Sequence, residues 1–273
     1  GLGRPGPGDP AAARDAAGAR MTRHVFPATW EQAGHAALDG DAVVVGGATS
    51  VQPWLTSTGA QPSVLVHLRD VAGARSVDGM AGRLRIGAMV PVADPALRPV
   101  FGGTEPVWFA TPAVRRRATV VGNAVSPFGP REVVPVLAAC GARLVVLAEG
   151  GTRSIDVTAV PPNGLEPGAV ACAAELAVPE RIAFRRVALR PRLSRTEIGV
   201  AAALGDGCGA AISVGVGGPT LVVEGAAEFL RDSAGSPGFA AACCSAAPDP
   251  VRQLVGGLAV RVHRALHEPG GRS

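Results

Sequence analysis

The stretch VVVGGATS, residues 43–50, joins a β-branched run to a glycine pair and predicts a short buried strand followed by a tight loop. A second stretch, ATVVGN at residues 118–123, repeats the order of a β-like run and a glycine. Neither stretch has a Walker lysine or a glycine frame that opens a Rossmann helix. Because glycine lets the backbone approach closely, two such loops facing each other can offer N–H groups to one diphosphate. The pattern favours a dinucleotide cofactor bound outside a Rossmann fold, although a tight turn between a strand and a helix requires glycine as well.

Around the first loop, the sequence alternates short strands with one well-marked helix. Thr29 and Gln32 form a capping box that starts this helix, which is expected to run to about Leu38 and to stop at Gly40. Proline-rich residues 91–112 are expected to be mostly loop with short helix. The other elements predicted in this half are strands at 42–45, 63–68, 83–89, 143–147 and 153–157, and a helix at 133–140.

From about residue 168 the pattern changes to strands followed by helices, which predicts an α+β unit. We predict antiparallel strands at 182–186, 197–204, 210–216 and 220–223, then helices at 226–230, 239–246 and 250–266. In the last helix one face is expected to carry Val251, Leu254, Leu258, Val262 and Leu266. The expected organisation is a flexible extension at 1–22, an N-terminal domain at 23–167 and a C-terminal domain at 168–268.

The composition excludes several classes of protein. The 273-residue chain has no lysine, so all 26 basic residues are arginine, and the net charge of +4 does not demand nucleic acid as a partner. The five cysteines lack C-x-x-C spacing, and no serine or cysteine lies in a nucleophile-elbow context, so neither a metal site nor a catalytic residue is predicted. No apolar run approaches the length of a membrane span, and residues 1–20 lack the apolar region of a secretory signal, so we expect a cytoplasmic protein.

Two further patterns mimic known sites. Gly205 and Gly207 have the spacing of a dinucleotide fingerprint, but residues 212–216 have the pattern of a strand, so no helix N-terminus is offered to a phosphate. His263 and His267 have the i, i+4 spacing of metal ligands, but no third ligand is evident in the sequence. We therefore expect these to be exposed histidines near a helix C-terminus.

Five sequence features occur in an order that is typical of one family. They are the loop at 46–50, similar to A-G-G-x-S/T; LRIGA at 84–88; VRRRATVVGN at 114–123, similar to I-R-N-R-A-T-V-G-G-N; Glu132 with Pro135; and FRRVALR at 184–190, similar to F-x-K-x-x-x-R. In these features residues 27 to about 265 resemble the medium, FAD-binding subunit of molybdenum hydroxylases, the family of carbon monoxide and xanthine dehydrogenases. The resemblance implies an α+β fold, in which a PCMH-type FAD-binding domain of two α/β subdomains is followed by a small C-terminal antiparallel sheet with helices.

The resemblance also implies a function and partners. An FAD-carrying electron-transfer subunit would receive electrons from the [2Fe–2S] clusters of an iron–sulfur small subunit and pass them to an external acceptor. A molybdopterin large subunit would oxidise the substrate, and the three chains would form a heterotrimer or its dimer. The protein would hold the flavin and tune its potential, and no side chain would act as an acid or base. The alternative is a flavin-free homologue whose cleft binds another small molecule or which only scaffolds a complex.

The cofactor-binding residues implied by the resemblance lie in both glycine stretches and at several positions beyond them. Thr49 and Ser50 would add hydroxyl donors to the diphosphate, and Arg117 would neutralise part of its charge. The full set is Val45, Gly46, Gly47, Ala48, Thr49, Ser50, Phe109, Arg117, Thr119, Val121, Gly122, Asn123, Glu132 and Arg186.

Four members of this set have a structural alternative. Arg117 would neutralise charge on the diphosphate, or it belongs to a solvated basic edge formed by residues 115–117. Phe109 would pack against the cofactor, or it is a core phenylalanine. Glu132 would accept hydrogen bonds from a ribose or adenine edge, or it is a carboxylate at a helix N-terminus. Arg186 occupies the position of the family's flavin-proximal lysine and would stabilise negative charge on the flavin ring, or it lies on a strand surface.

Val121 stands where the family has the first glycine of its second loop. A β-branched side chain there would crowd the diphosphate, and valine is a poor occupant of a backbone position with positive φ. The sequence therefore predicts weaker FAD binding than in typical relatives, and it predicts that Val121→Gly would tighten the binding.

Overall fold

A computed structural model gives the fold of residues 21–190 and 193–268. The predicted flexible extension at 1–22 lies outside the described residues except for its last two positions. The described part contains three sheets together with helices, so the expected α+β class is confirmed. Within the described residues, no helix has the length and apolar character needed to cross a membrane.

The first sheet is small and parallel, with strand order β1-β3-β2. Helix α1 begins as predicted, because the Thr29 hydroxyl accepts from the Gln32 N–H while the Gln32 side chain accepts from the Ala28 N–H. The VVVGGATS stretch contains strand β2 and the glycine loop that leads directly into helix α2. The elements are β1 (Arg23–Val25), α1 (Trp30–Ala37), β2 (Val43–Val45), α2 (Val51–Thr58) and β3 (Val64–His67).

The second sheet is antiparallel and has five strands in the order β4-β5-β8-β6-β7. Its strands are β4 (Val77–Met80), β5 (Arg83–Gly87), β6 (Arg143–Ala148), β7 (Gly151–Asp156) and β8 (Val170–Ala177). The helices carried between β5 and β6 are α3 (Pro112–Arg115), α4 (Val120–Val125) and α5 (Val134–Ala139), preceded by a 3₁₀ helix at Pro95–Phe101. The prediction of mostly loop with short helix for 91–112 is therefore confirmed.

The third sheet is the antiparallel sheet predicted for the C-terminal half, with strand order β12-β11-β10-β9. Its strands are β9 (Arg181–Ala188), β10 (Thr196–Leu204), β11 (Ala210–Val214) and β12 (Thr220–Val222), and the helices that follow are α6 (Ala226–Leu230), α7 (Ser236–Ala246) and α8 (Arg252–His267). The strand at β11 confirms that Gly205 and Gly207 do not open a Rossmann helix. The predicted face of the last helix is wrong at Leu254, which is 51% exposed, because Val255 takes the buried position.

The C-terminal sheet has a core on each face. Ala201 and Ala203 of β10 pack into the large core of the N-terminal half, whereas Val200 and Ala202 pack against helices α6 to α8. This alternation follows from the two-residue period of a strand. The N-terminal half and the C-terminal helices are thus held together through one shared sheet.

The division of the chain depends on strand β8. This strand pairs with β5 and β6, so the five-stranded sheet of the N-terminal half extends to Ala177. The next strand, β9, pairs only with β10 of the C-terminal sheet. We propose that the domain boundary lies at residues 178–180, about ten residues after the division that the sequence predicts at 167/168.

Candidate functional site

A cavity of about 280 Å³ opens between the two glycine stretches. Gly47 of the first stretch and Gly122 of the second both lie on its wall, as the sequence predicts for a cofactor cleft. Nine predicted site residues line the cavity: Gly46, Gly47, Ala48, Thr49, Ser50, Thr119, Val121, Gly122 and Asn123. Val45, Phe109, Arg117, Glu132 and Arg186 do not.

The first glycine loop presents unpaired backbone donors at the start of helix α2. Within the described residues, the N–H groups of Thr49, Ser50 and Val51 have no hydrogen-bond acceptor. Ala48 has a φ of +62°, a conformation that a residue other than glycine adopts only when its surroundings impose it. Exposed N–H groups and the positive end of a helix both favour an anion, so this loop fits a diphosphate.

The glycines of this loop are required by the second stretch, which packs directly against them. A Cβ added to Gly47 would lie 1.8 Å from the carbonyl oxygen of Arg117, and one added to Gly46 would lie 3.0 Å from the Thr119 hydroxyl oxygen. A side chain at residue 47 would therefore push the two stretches apart. The glycine pair sets the shape of the cavity by permitting this close contact.

The second stretch is a helix, which corrects the prediction of a glycine loop after a β-like run. Thr119 caps helix α4 by accepting from the Gly122 N–H at 3.1 Å, and its carbonyl accepts from the Asn123 N–H at 2.9 Å. The Val120 N–H donates to the Val90 carbonyl. Because these three donors are occupied, the first loop offers an anion more free backbone N–H groups than the second stretch does.

Val121 does not stand where a glycine is needed. It lies inside helix α4, it is 1% exposed, and its φ is not positive, so valine is unstrained there. Its side chain packs in the large core beside the cavity. The argument that valine is strained at this position is therefore wrong, and crowding of the diphosphate is left to the FAD titration of Val121→Gly.

Of the arginines near the second stretch, Arg115 has a structural role. Arg115 is 5% exposed, and its guanidinium donates to the carbonyls of Phe109 and Ala110 and pairs with Glu105. Arg117 is exposed and does not line the cavity, and its backbone carbonyl packs against Gly47 of the first loop. Phe109 is buried in the core beside Trp108, which is the alternative that the sequence left open for this residue.

Glu132 and Arg186 contact each other rather than the cavity. Their side chains are 9% and 8% exposed and approach to 3.9 Å, and the Glu132 carboxylate also accepts from the Thr196 N–H at 2.7 Å. Burial lowers the pKa of Arg186, and the Glu132 carboxylate opposes that effect. Neither residue lines the cavity, and their contacts join the N-terminal half to the C-terminal sheet; their role at a cofactor stays a prediction.

Part of the cavity wall was not predicted. Residues 163–171 form one side, and Phe128 lies on another, with its ring stacked on Trp54 at 4.2 Å between centroids. Asp39 and Glu166 also line the cavity, and their carboxylates pair with Arg23 and Arg153. In the sequence these loops are marked only by their proline and glycine content. That content predicts a loop, but it does not predict which part of the molecule the loop packs against.

The segment carrying Phe128 is held in place by the half-buried Arg131 and by Asn123. The Arg131 guanidinium donates to the carbonyls of Ser126, Val160, Pro161 and Pro162. The Asn123 side chain spans the same turn, donating to the Pro130 carbonyl and accepting from the Val133 N–H. These bonds hold residues 126–131 rigidly on the cavity wall.

The histidine pair of the last helix is structural. His263 is 2% exposed, which corrects the expectation of an exposed residue, and its Nε2 bonds to the Phe229 carbonyl oxygen. The Nε2 of His267 bonds to the Leu230 carbonyl oxygen. In the part of the chain that the structure describes, no group of three or more histidine, cysteine or acidic side chains is placed to hold a metal ion.

Residues 20–160 match the family described as the FAD binding domain in molybdopterin dehydrogenase. The match covers more than half of the 273 residues, so the chain belongs to this family and carries an FAD-binding domain. Among curated protein sequences, none matches the chain.

Solved structures of three oxidoreductases have a similar fold. Quinoline 2-oxidoreductase from Pseudomonas putida 86 is 24% identical, with a TM-score of 0.72 over 90% of this chain and 96% of that chain. Carbon monoxide dehydrogenase from Oligotropha carboxidovorans is 20% identical, with a TM-score of 0.73 over 90% of this chain and 98% of that chain. The enzyme from Hydrogenophaga pseudoflava is 18% identical, with a TM-score of 0.72 over 90% and 97%. At these identities the comparison establishes a shared fold.

Proposed function

We propose that this chain is the FAD-carrying electron-transfer subunit of a molybdenum hydroxylase-type oxidoreductase. Its partners are an iron–sulfur small subunit and a molybdopterin large subunit, from which electrons reach the flavin and pass to an external acceptor. Family membership supports the cofactor, and the similarity to chains of carbon monoxide dehydrogenase and quinoline 2-oxidoreductase over nearly their whole lengths supports the type of complex. The observation that carries the proposal is the loop of free N–H groups on the cavity wall.

The chain's own residues bind and orient the cofactor. The N–H groups of Thr49, Ser50 and Val51 hold the diphosphate, and the hydroxyls of Thr49 and Ser50 add donors beside them. Bound FAD supplies the redox chemistry, because the side chains of this wall do not exchange electrons. No proton transfer by a side chain is needed for this role.

A glycine substitution pair tests the proposed cofactor site. Gly47→Ala forces a Cβ into the Arg117 carbonyl, so we expect at least a tenfold loss of FAD affinity, equivalent to about 1.4 kcal/mol. Gly40→Ala is the matched control, because Gly40 also lines the cavity but a Cβ there meets nothing within 4 Å. Apoprotein of each variant is titrated with FAD, and circular dichroism checks the fold. Equal affinities in the two variants would place the cofactor elsewhere.

Two measurements on the unaltered protein test the wider role. We expect purified protein to be yellow and to release flavin on denaturation, and a colourless protein with no FAD affinity would favour the flavin-free alternative. Native purification from the source cells should yield a complex that contains iron and molybdenum. Recovery of flavin-loaded monomer alone would contradict the proposed partners while leaving the cofactor site intact.

A further inference from the structure

Two cysteines lie opposite each other where the N-terminal half meets the C-terminal sheet. Cys140 ends helix α5, and Cys208 lies in the turn between β10 and β11. The Gly209 N–H donates to the Ala139 carbonyl at 2.8 Å, and a Cβ added to Gly141 would lie 2.4 Å from the Gly207 carbonyl oxygen. The two segments therefore run antiparallel, with residue 140 facing residue 208.

This arrangement makes the two cysteines direct neighbours. Their flanking residues are in backbone contact on both sides, and the thiols of Cys140 and Cys208 contact each other. Disulfides join Cα atoms about 4.4–6.8 Å apart. The backbone of the two segments would thus need little movement to accommodate a bond between these sulfurs.

The two thiols differ in a way that suits oxidation. Cys140 is fully buried, whereas Cys208 is half-buried and reachable from solvent. Hydrogen bonding from the Cys140 thiol lowers the pKa of Cys208, and the same contact together with burial raises the pKa of Cys140 well above its ordinary value. Cys208 is therefore the thiolate that reacts first, and Cys140 is the thiol beside it.

We propose that Cys140 and Cys208 form a reversible disulfide that ties helix α5 to the C-terminal sheet. With a peroxide as oxidant, the Cys208 thiolate takes one oxygen to become a sulfenic acid and the peroxide leaves as water. The Cys140 sulfur then attacks the Cys208 sulfur, the S–S bond forms and the oxygen leaves as a second water. Overall, two thiols and one hydrogen peroxide give one disulfide and two waters, and an external dithiol restores the thiols.

The disulfide would join the two halves of the molecule covalently. Helix α5 follows directly after the segment that forms the cavity wall, and the turn at Cys208 belongs to the sheet shared by both halves. A covalent bond across this contact restricts the unfolded chain and is expected to stabilise the fold.

Peptide mapping of the oxidised full-length protein tests the proposal. The folded protein is treated with hydrogen peroxide, free thiols are blocked with N-ethylmaleimide, and the protein is digested with trypsin. Peptides 132–143 and 196–231 each contain one of the two cysteines, so we expect them to be recovered joined and to separate on reduction. Peptide 154–181, which contains the buried Cys172, should be recovered unlinked.

Two serine variants provide controls. Cys208→Ser should abolish the joined peptides and the rise in melting temperature that follows oxidation, and Cys172→Ser should leave both unchanged. The proposal is overturned if Cys208 oxidises further to a sulfinic acid while Cys140 stays free. It is equally overturned if neither cysteine reacts, or if other cysteines are joined instead.

Discussion

At the scale of single residues, Val121 shows how a family comparison and the local structure can disagree. The family pattern treats this position as part of a glycine loop, but the residue is helical and buried. Its side chain contributes to the core, so its effect is on stability. The position of Gly47, by contrast, is fixed by a backbone carbonyl that no side chain could avoid.

We predict that Val121→Gly destabilises the protein and does not tighten FAD binding. Loss of the buried side chain and glycine in a helix interior together cost about 2–4 kcal/mol. Val260→Gly is the control, because Val260 is 36% exposed in helix α8 and should cost only about 1 kcal/mol. Urea unfolding and FAD titration measure the two effects. A gain in FAD affinity in Val121→Gly would restore the crowding argument.

At the scale of elements, Arg131 fixes one wall of the cavity to the loop that follows β7. The planar guanidinium of Arg131 donates several N–H groups to the carbonyls of Val160 and Pro162, and lysine lacks this geometry. Arg131→Lys should therefore lower the free energy of unfolding by about 1–3 kcal/mol. It should also speed hydrogen exchange of the Phe128 amide, which donates to the Ser126 hydroxyl. Arg116→Lys, at an exposed position, should change stability by less than about 0.5 kcal/mol. Unchanged exchange in Arg131→Lys would show that the wall is held by other contacts.

The contact between strands β1 and β3 of the parallel sheet should respond to pH. His67 of β3 bonds to His24 of β1 at 3.0 Å and stacks on Phe26. Burial, and then the neighbouring charges of His24 and Arg69, lower the pKa of His67 below 6.5, with Asp70 opposing them. The folded state therefore binds fewer protons than the unfolded state near this pH, and stability from this group is lost as pH falls below 6.5.

We predict that the free energy of unfolding falls as pH drops from 7 towards 5, and that His67→Asn makes this dependence shallower. His35→Asn is the control, because His35 lies exposed on helix α1 outside this cluster. Denaturant unfolding across the pH range gives the comparison. A pH dependence that is unaltered in His67→Asn would assign it to other groups.

At the scale of the whole molecule, Glu132 connects the two halves of the chain. Glu132→Gln keeps an acceptor for the Thr196 N–H but removes the charge that faces Arg186 in a buried setting. We expect a loss of about 1–3 kcal/mol in the free energy of unfolding. Glu175→Gln breaks the exposed pair with Arg85 and should cost less than about 1 kcal/mol. Equal losses in the two variants would show that the buried pair does not hold the halves together.

Much of the fold follows from local sequence. The capping box at Thr29, the alternation at 83–87 and the strands at 181–214 are short-range signals, and each element formed where it was predicted. Strand β8 was missed because residues 170–177 are mostly small and buried on both faces, which removes the alternation that marks a half-exposed strand. The expected cytoplasmic location stays a prediction.

Local sequence was enough to predict the class of fold, the family and the first glycine loop, because these depend on backbone propensities and on residues close together in the chain. The partners of the long polar side chains depended on how distant segments pack. Glu132 and Arg186 are 54 positions apart and meet across two halves of the molecule, and Arg131 reaches carbonyls about thirty positions away. A buried charged side chain needs a hydrogen-bond or ion-pair partner. Which residue becomes that partner depends on the packing of distant segments, which no local sequence pattern predicts.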